Sequence, residues 1–128
     1  MRTVLLLMQR RPVAQGLIRK MEGTPGIKLH FESDYANAEA VEETGGAGLI
    51  LMEIAESGVY GSDYCLALCA RLRMRAPGCK LLLLCPEQDK AGVDAVMAAK
   101  QNGRVDDFLF YDATIEYLAA KVSSFLTM

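Results

Sequence analysis

The chain contains a single histidine, His30, and that scarcity closes off much of enzyme chemistry. Ser-His-Asp and Cys-His schemes each need an imidazole beside the nucleophile, and His30 lies in an alternating segment far from the other candidate residues. Its expected role is that of an ordinary strand residue. Phosphate-cradling loops are missing too. Neither GxGxxG nor GxxxxGK occurs, so a nucleotide or flavin phosphate has no small-residue loop whose backbone amides it can approach. No apolar run comes near the roughly 20 residues of a membrane span. The apolar run at residues 4–8 is too short for a secretory signal, and no small-residue cleavage site follows it. The expectation is a cytoplasmic protein without a membrane partner.

Excess charge is also lacking. Lys and Arg number 14 against 16 Asp and Glu, for a net charge of −2, which leaves no basic footprint for direct nucleic-acid binding. Arg71, Arg73 and Arg75 read instead as the last turns of a helix, where cations favour the negative end of the dipole. The cysteines, Cys65, Cys69, Cys79 and Cys85, include no CxxC pair. Cys65 and Cys69 share a helix face, but His30 is distant, so buried thiols are expected rather than a metal site. Neither metal nor cofactor is implied.

What is present is a chain of 128 residues, 52% hydrophobic and 23% charged, read as one domain spanning 1–128 with a sizeable core. Its centre is Leu49-Ile50-Leu51-Met52-Glu53-Ile54, where a short apolar run bounded by turn signals ends in an acid. Such a run predicts a strand buried on both faces. Around it, strands at 4–8, 27–31, 80–84 and 108–110 (with Val105 as an earlier possible start for the last) alternate with helical patterns. Pro12 opens the first helix, which carries Val13, Ala14, Leu17, Ile18 and Met21 at helical spacing. Ser33 or Asp34 caps a second over 35–44, which the following glycine pair ends. Ser62 or Asp63 caps a third, with Tyr64, Cys65, Leu68, Cys69 and Leu72 on one face. Asp89 caps a fourth carrying Val93, Val96 and Met97, which Asn102-Gly103 stops. Thr114 caps a fifth, with Ile115, Leu118, Ala119, Val122, Phe125 and Leu126 as its stripe. Strand–helix alternation predicts an α/β fold with a parallel sheet covered on both faces. Five such units suit a flavodoxin-like (βα)5 sandwich with strand order 2-1-3-4-5.

At this point the chain resembles the receiver domain of two-component response regulators, from Val4 to Leu126. The matches are the first strand with Pro12, the strand ending at Glu53, the run at 81–84 followed by Cys85, and the closing stretch Asp106-Asp107-Phe108-Leu109-Phe110-Tyr111-Asp112-Ala113-Thr114. The resemblance implies a phosphoacceptor position at Glu53 and an acidic metal pocket at Gln9 and Arg10. It implies a switch hydroxyl at Cys85, a switch aromatic at Phe108 and a lysine position at Tyr111. The chain departs from the family at the acceptor, the acids, the hydroxyl and the lysine, and the stretch after Glu53 is longer than the family's usual spacing.

The departures are chemically consistent with one another. Phosphoryl transfer to a carboxylate needs a divalent cation held by hard oxygens. Gln9 can lend one neutral oxygen, but Arg10 brings a cation to the metal's place and can pair with Glu53. The longer glutamate would carry its carboxylate outward, in the direction a phosphoryl group extends, as a partial mimic of the phosphorylated state. A solvated acid in a disused site is the competing expectation. Tyr111 and Tyr60 are candidates to cover the pocket. The resemblance thus implies a non-enzymatic pseudo-receiver in bacterial signal transduction or transcription control. It would contact protein partners, a second copy of itself among them, through the face of the fourth helix, fifth strand and fifth helix. Two alternatives stand beside this reading: a phosphorelay receiver with Glu53 as acceptor, and a small-molecule or redox sensor using the vacated pocket and Cys85.

Overall fold

The computed structural model describes residues 2–43 and 46–127. The strands are β1 (Arg2–Leu7), β2 (Ile27–Glu32), β3 (Leu49–Glu53), β4 (Lys80–Cys85) and β5 (Asp107–Phe110). The helices are α1 (Arg11–Met21), α2 (Ala38–Glu43), α3 (Ser62–Arg75), α4 (Lys90–Gln101) and α5 (Ile115–Leu126). All strands pair in parallel in the order β2-β1-β3-β4-β5.

The three inner strands read as continuous apolar runs because each feeds two cores. Side chains alternate across a strand. Leu5, Leu7, Ile50, Met52, Leu81, Leu83 and Cys85 therefore face one layer, where Ala38, Cys65, Leu68, Cys69, Leu72, Val96 and Ala99 meet them from α2, α3 and α4. Val4, Leu6, Leu49, Leu51, Leu82 and Leu84 face the other, against Ala14, Leu17 and Met21 of α1 and Leu118, Ala119, Val122 and Leu126 of α5. The edge strand β2 alternates, with His30 exposed. Strand register brings Leu7 opposite Met52, Glu53 opposite Leu84 and Cys85 opposite Phe110, so the carboxyl ends of the inner strands and β5 finish almost level.

Local chemistry explains most of the boundaries. The Asp89 carboxylate accepts from Gly92 N at 3.1 Å and Thr114 Oγ1 from Tyr117 N at 3.1 Å, capping α4 and α5. Gly103, at φ 73°, takes the left-handed conformation that follows α4.

Several boundaries differ from expectation. Helix α1 starts at Arg11, so Pro12 stands second. The second helical segment is split. Asp34 caps a 3₁₀ turn at Tyr35–Asn37 by accepting from Ala36 N, and α2 begins only at Ala38. The tighter turn swings Tyr35 into the core, where it is fully buried. Thr44 and Gly45 lie outside the described residues. Neither Ser62 nor Asp63 caps α3: Gly61 holds that place without a side-chain bond, and both polar residues fall inside the helix. Strand β5 starts at Asp107, one residue before the expected Phe108 and short of the optional start at Val105, and β4 extends through Cys85. Among the described residues no helix is long and apolar enough to cross a membrane.

Candidate functional site

The site lies where β1, β3 and β5 end together. Glu53 closes β3 and is completely buried. A buried carboxylate must be paired or hydrogen-bonded to stay charged, and Glu53 is both. Its Oε1 accepts from Gln9 N at 2.8 Å and from Arg10 N at 3.0 Å, while Oε2 accepts from Arg10 Nε. Arg10 is the N-cap residue of α1, so the carboxylate also faces the positive end of that helix dipole. The expectation of a solvated acid is thereby overturned. The carboxylate reaches the β1–α1 junction, where two amides and a guanidinium converge.

The Gln9 side chain is anchored through its amide nitrogen. Its Nε2 donates to Ser33 O at 2.7 Å, tying the β1 end to the segment that follows β2. Arg10 occupies the place between Glu53 and Tyr111. The Arg10 Cζ lies 3.8 Å from the centroid of the Tyr111 ring, a cation–π contact contributing about 0.5–2 kcal/mol depending on desolvation. The Tyr111 hydroxyl donates to Ile54 O, just beyond β3. Burial, with the Glu53 carboxylate next in effect, pushes this phenol well above its ordinary pKa, so it remains an O–H donor. A depression of about 280 Å³ lies over the site, lined by Gln9, Arg10, Glu53, Ala55, Glu56, Ser57 and Tyr111. Tyr111 is thus part of the wall of this depression.

Tyr60 does not line that depression. It stacks on Tyr35 on the other side of the β3 end, with ring centroids 4.0 Å apart and planes 9° from parallel. Its hydroxyl donates to Asp34 Oδ1 at 3.2 Å and accepts from Tyr35 N at 3.3 Å. Tyr35 in turn donates its hydroxyl to Glu53 O at 2.6 Å. Sequence reasoning placed Tyr35 only at a helix start. The signal that points to it is a tyrosine just after the Asp34 cap, on a segment whose apolar stripe is otherwise weak.

Cys85 stands apart from this chemistry. It is buried in the layer facing α3 and α4, and burial pushes its thiol up to about 12. A reactive cysteine is shifted in the opposite direction and is accessible, whereas Cys85 is buried. Cys65, Cys69 and Cys79 are buried as well. No group of His, Cys, Asp or Glu among the described residues is arranged to hold a metal ion.

Phe108 lies away from the depression. Half-buried on β5, it meets Phe110 edge-to-face at 5.7 Å and lies beneath Lys100 of α4. Phe110, Tyr117 and Met97 are 36%, 55% and 42% exposed. A hollow of about 500 Å³ opens beside them, lined by Phe108, Leu109, Phe110, Asp112, Ala113, Thr114 and Tyr117. At the opposite end of β5, Asp107 binds Lys100 Nζ through one oxygen and Lys121 Nζ through the other, each at 2.9 Å. This carboxylate ties α4, β5 and α5 together.

No family model matches the chain, and no curated protein matches it significantly. Solved structures do. A response regulator from Thermotoga maritima superposes with a TM-score of 0.79 at 16% identity, covering 100% of this chain and 99% of its own. The receiver domain of a Francisella response regulator gives 0.71 at 19% identity, covering 99% and 98%. An adenylate cyclase from Rhodopirellula baltica gives 0.79 at 17% identity, covering 98% of this chain and 87% of its own. At these identities the likeness is one of architecture. Parallel strands in the order 2-1-3-4-5, alternating helices and near-complete overlap with such structures establish that this chain has the fold of a response-regulator receiver domain.

Proposed function

We propose that the chain is a pseudo-receiver of signal transduction, a single unit over 1–128 that does not run the magnesium-dependent aspartyl-phosphate cycle. It acts by protein–protein contact. The observation that carries this reading is the Arg10 guanidinium, bound to Glu53 Oε2 and stacked on Tyr111. Transfer of a phosphoryl group to a carboxylate needs an oxygen free to attack and a cation bridging acceptor and phosphate. In this reading Glu53 is the acceptor position, and both its oxygens are engaged. Gln9 and Arg10 stand where a receiver holds its magnesium ligands, Cys85 replaces the switch hydroxyl and Tyr111 the lysine. A resident cation has taken over the neutralising role of the metal.

The contact surface is the face of α4, β5 and α5. Met97, Phe110 and Tyr117 are its exposed apolar groups, and its nearby lysines, Lys100 and Lys121, are both engaged by the Asp107 carboxylate. Such a face suits a protein partner, including a second copy of the chain, better than a polyanion. Bacterial transcription control in the cytoplasm is the setting that the resemblance implies.

Intact-mass analysis after incubation with acetyl phosphate, with and without magnesium, tests the central claim. The expected result is no mass gain in either condition. A magnesium-dependent gain of one phosphoryl group, lost in Glu53→Gln, overturns it and makes the chain a phosphorelay receiver with a glutamate acceptor.

A further inference from the structure

Tyr111 is the first residue beyond the edge strand β5, yet it is attached to the ends of all three inner strands. Its ring packs on Arg10 beyond β1. Its hydroxyl binds Ile54 O beyond β3. Its N–H is shared between Cys85 O at 3.0 Å, at the end of β4, and the Glu87 carboxylate at 3.1 Å. The residues that follow build the turn into α5. Ala113 N donates to Phe110 O at 3.1 Å, and Thr114 caps the helix through Tyr117 N. Asp112, Ala113, Thr114 and Tyr117 are also the wall of the apolar hollow beside Phe110. One side chain therefore joins the buried ion pair to a surface several residues away along the chain.

The joint is held by shape as much as by hydrogen bonding. Arg10 Nη2 is buried and finds no hydrogen-bond acceptor among the described residues. With Nε committed to Glu53, the guanidinium is further restrained by the aromatic face beside it. A planar cation stacked on a ring fixes both partners, since neither can rotate without losing the contact.

We propose that Tyr111 is a positioning residue that couples the Arg10–Glu53 ion pair to the β5–α5 turn, holding the hollow at Phe110 and Tyr117 in one conformation. The proposal deepens the pseudo-receiver reading, and it rests on that reading for the meaning of the surface. Its test needs no partner and no phosphodonor, so the two ideas fail separately.

The test is a double-mutant cycle read by amide chemical shifts of the full chain. Arg10→Gln is made in the wild-type and in the Tyr111→Leu background, with Lys28→Gln on the exposed edge strand as the control. Arg10→Gln should move the amides of Asp112, Ala113, Thr114 and Tyr117 well beyond the control shifts. In Tyr111→Leu those movements should fall to control level, while Val13 and Ala14 of α1 still respond. Tyr111→Phe, which keeps the ring, should preserve the long-range response. Equal movements at residues 112–117 in both backgrounds overturn the proposal, as does the absence of any movement there. Should Tyr111→Leu fail to fold, Tyr111→Met fills the space without an aromatic face, and the same outcomes decide.

Discussion

At the scale of single residues, Glu53 carries the largest local consequence. It is an acid with no exposed surface, held by two backbone amides and one guanidinium. Breaking a buried pair from one side typically costs about 3–5 kcal/mol, because the remaining group is left without compensation. Arg10 is about a third exposed, and can turn toward water when its partner is removed. Glu53→Ala is therefore expected near the lower end, about 3 kcal/mol, measured by urea unfolding. A loss under about 0.5 kcal/mol, the range of ordinary surface substitutions, would contradict the account of Glu53 as a paired buried acid. The Arg10–Glu53 pairing was legible in the sequence from an arginine after the first strand and an acid at the end of the third. The direction of the carboxylate was not. It depends on amides of Gln9 and Arg10 that converge only when α1 starts at Arg11.

At the scale of elements, the segment between β3 and α3 shows what a linear reading misses. Its extra length looked like a departure from pattern, and its use is to bring Tyr60 over Tyr35. Ala55 N donates to Tyr60 O at 2.8 Å, closing the loop on itself, and the stacked tyrosines pin it to the 3₁₀ turn. Aromatic pairs contribute about 0.5–1.5 kcal/mol beyond burial, so Tyr60→Ala should open residues 55–61 locally while α1 and α5 keep their protection. Hydrogen exchange at the Ala55 amide is the readout, and unchanged protection there would contradict the pinning role. Asp107 gives a prediction with a pH sign. Burial opposes its ionisation, but hydrogen bonds from Lys100, Lys121 and the Phe108 amide outweigh this and hold its carboxyl below the usual range. A depressed carboxylate stabilises the fold above its unfolded pKa of about 3.9, and that contribution is lost as pH falls through the folded value. Asp107→Asn should thus cost about 1–2 kcal/mol at pH 7, and its deficit should shrink below about pH 4. A deficit that stays constant down to pH 2 would assign the loss to packing instead. The composition around Asp107 hid this tie, since its lysines come from two helices adjacent only in three dimensions.

At the scale of the whole molecule, the fold was the most legible part, because its signals are redundant. Continuous apolar runs in β1, β3 and β4 announce strands buried on both faces, alternation announces a parallel sheet, and five such units suit the order 2-1-3-4-5 that the sheet has. The site depended on single positions, where one tyrosine or one shifted helix start changes the chemistry. This contrast yields a test that uses the entire cooperative unit as its detector. A ligand that binds only the native state raises stability by about 2.7 kcal/mol at a hundredfold excess over its dissociation constant. Magnesium at millimolar concentration should leave the melting temperature of the wild-type chain unchanged, because Arg10 fills the place between Glu53 and Tyr111. Replacing Gln9, Arg10 and Glu53 together by aspartate removes that cation and supplies three hard carboxylates at the same strand ends. The triple variant should start less stable, since its acids repel one another, and should regain stability as magnesium is added. A wild-type chain that responds to magnesium as strongly as the triple variant would show that Arg10 does not exclude the metal. Calcium then separates specific coordination from general screening of the added charge: magnesium demands a compact octahedron and calcium does not, so unequal recovery by the two ions marks a built site.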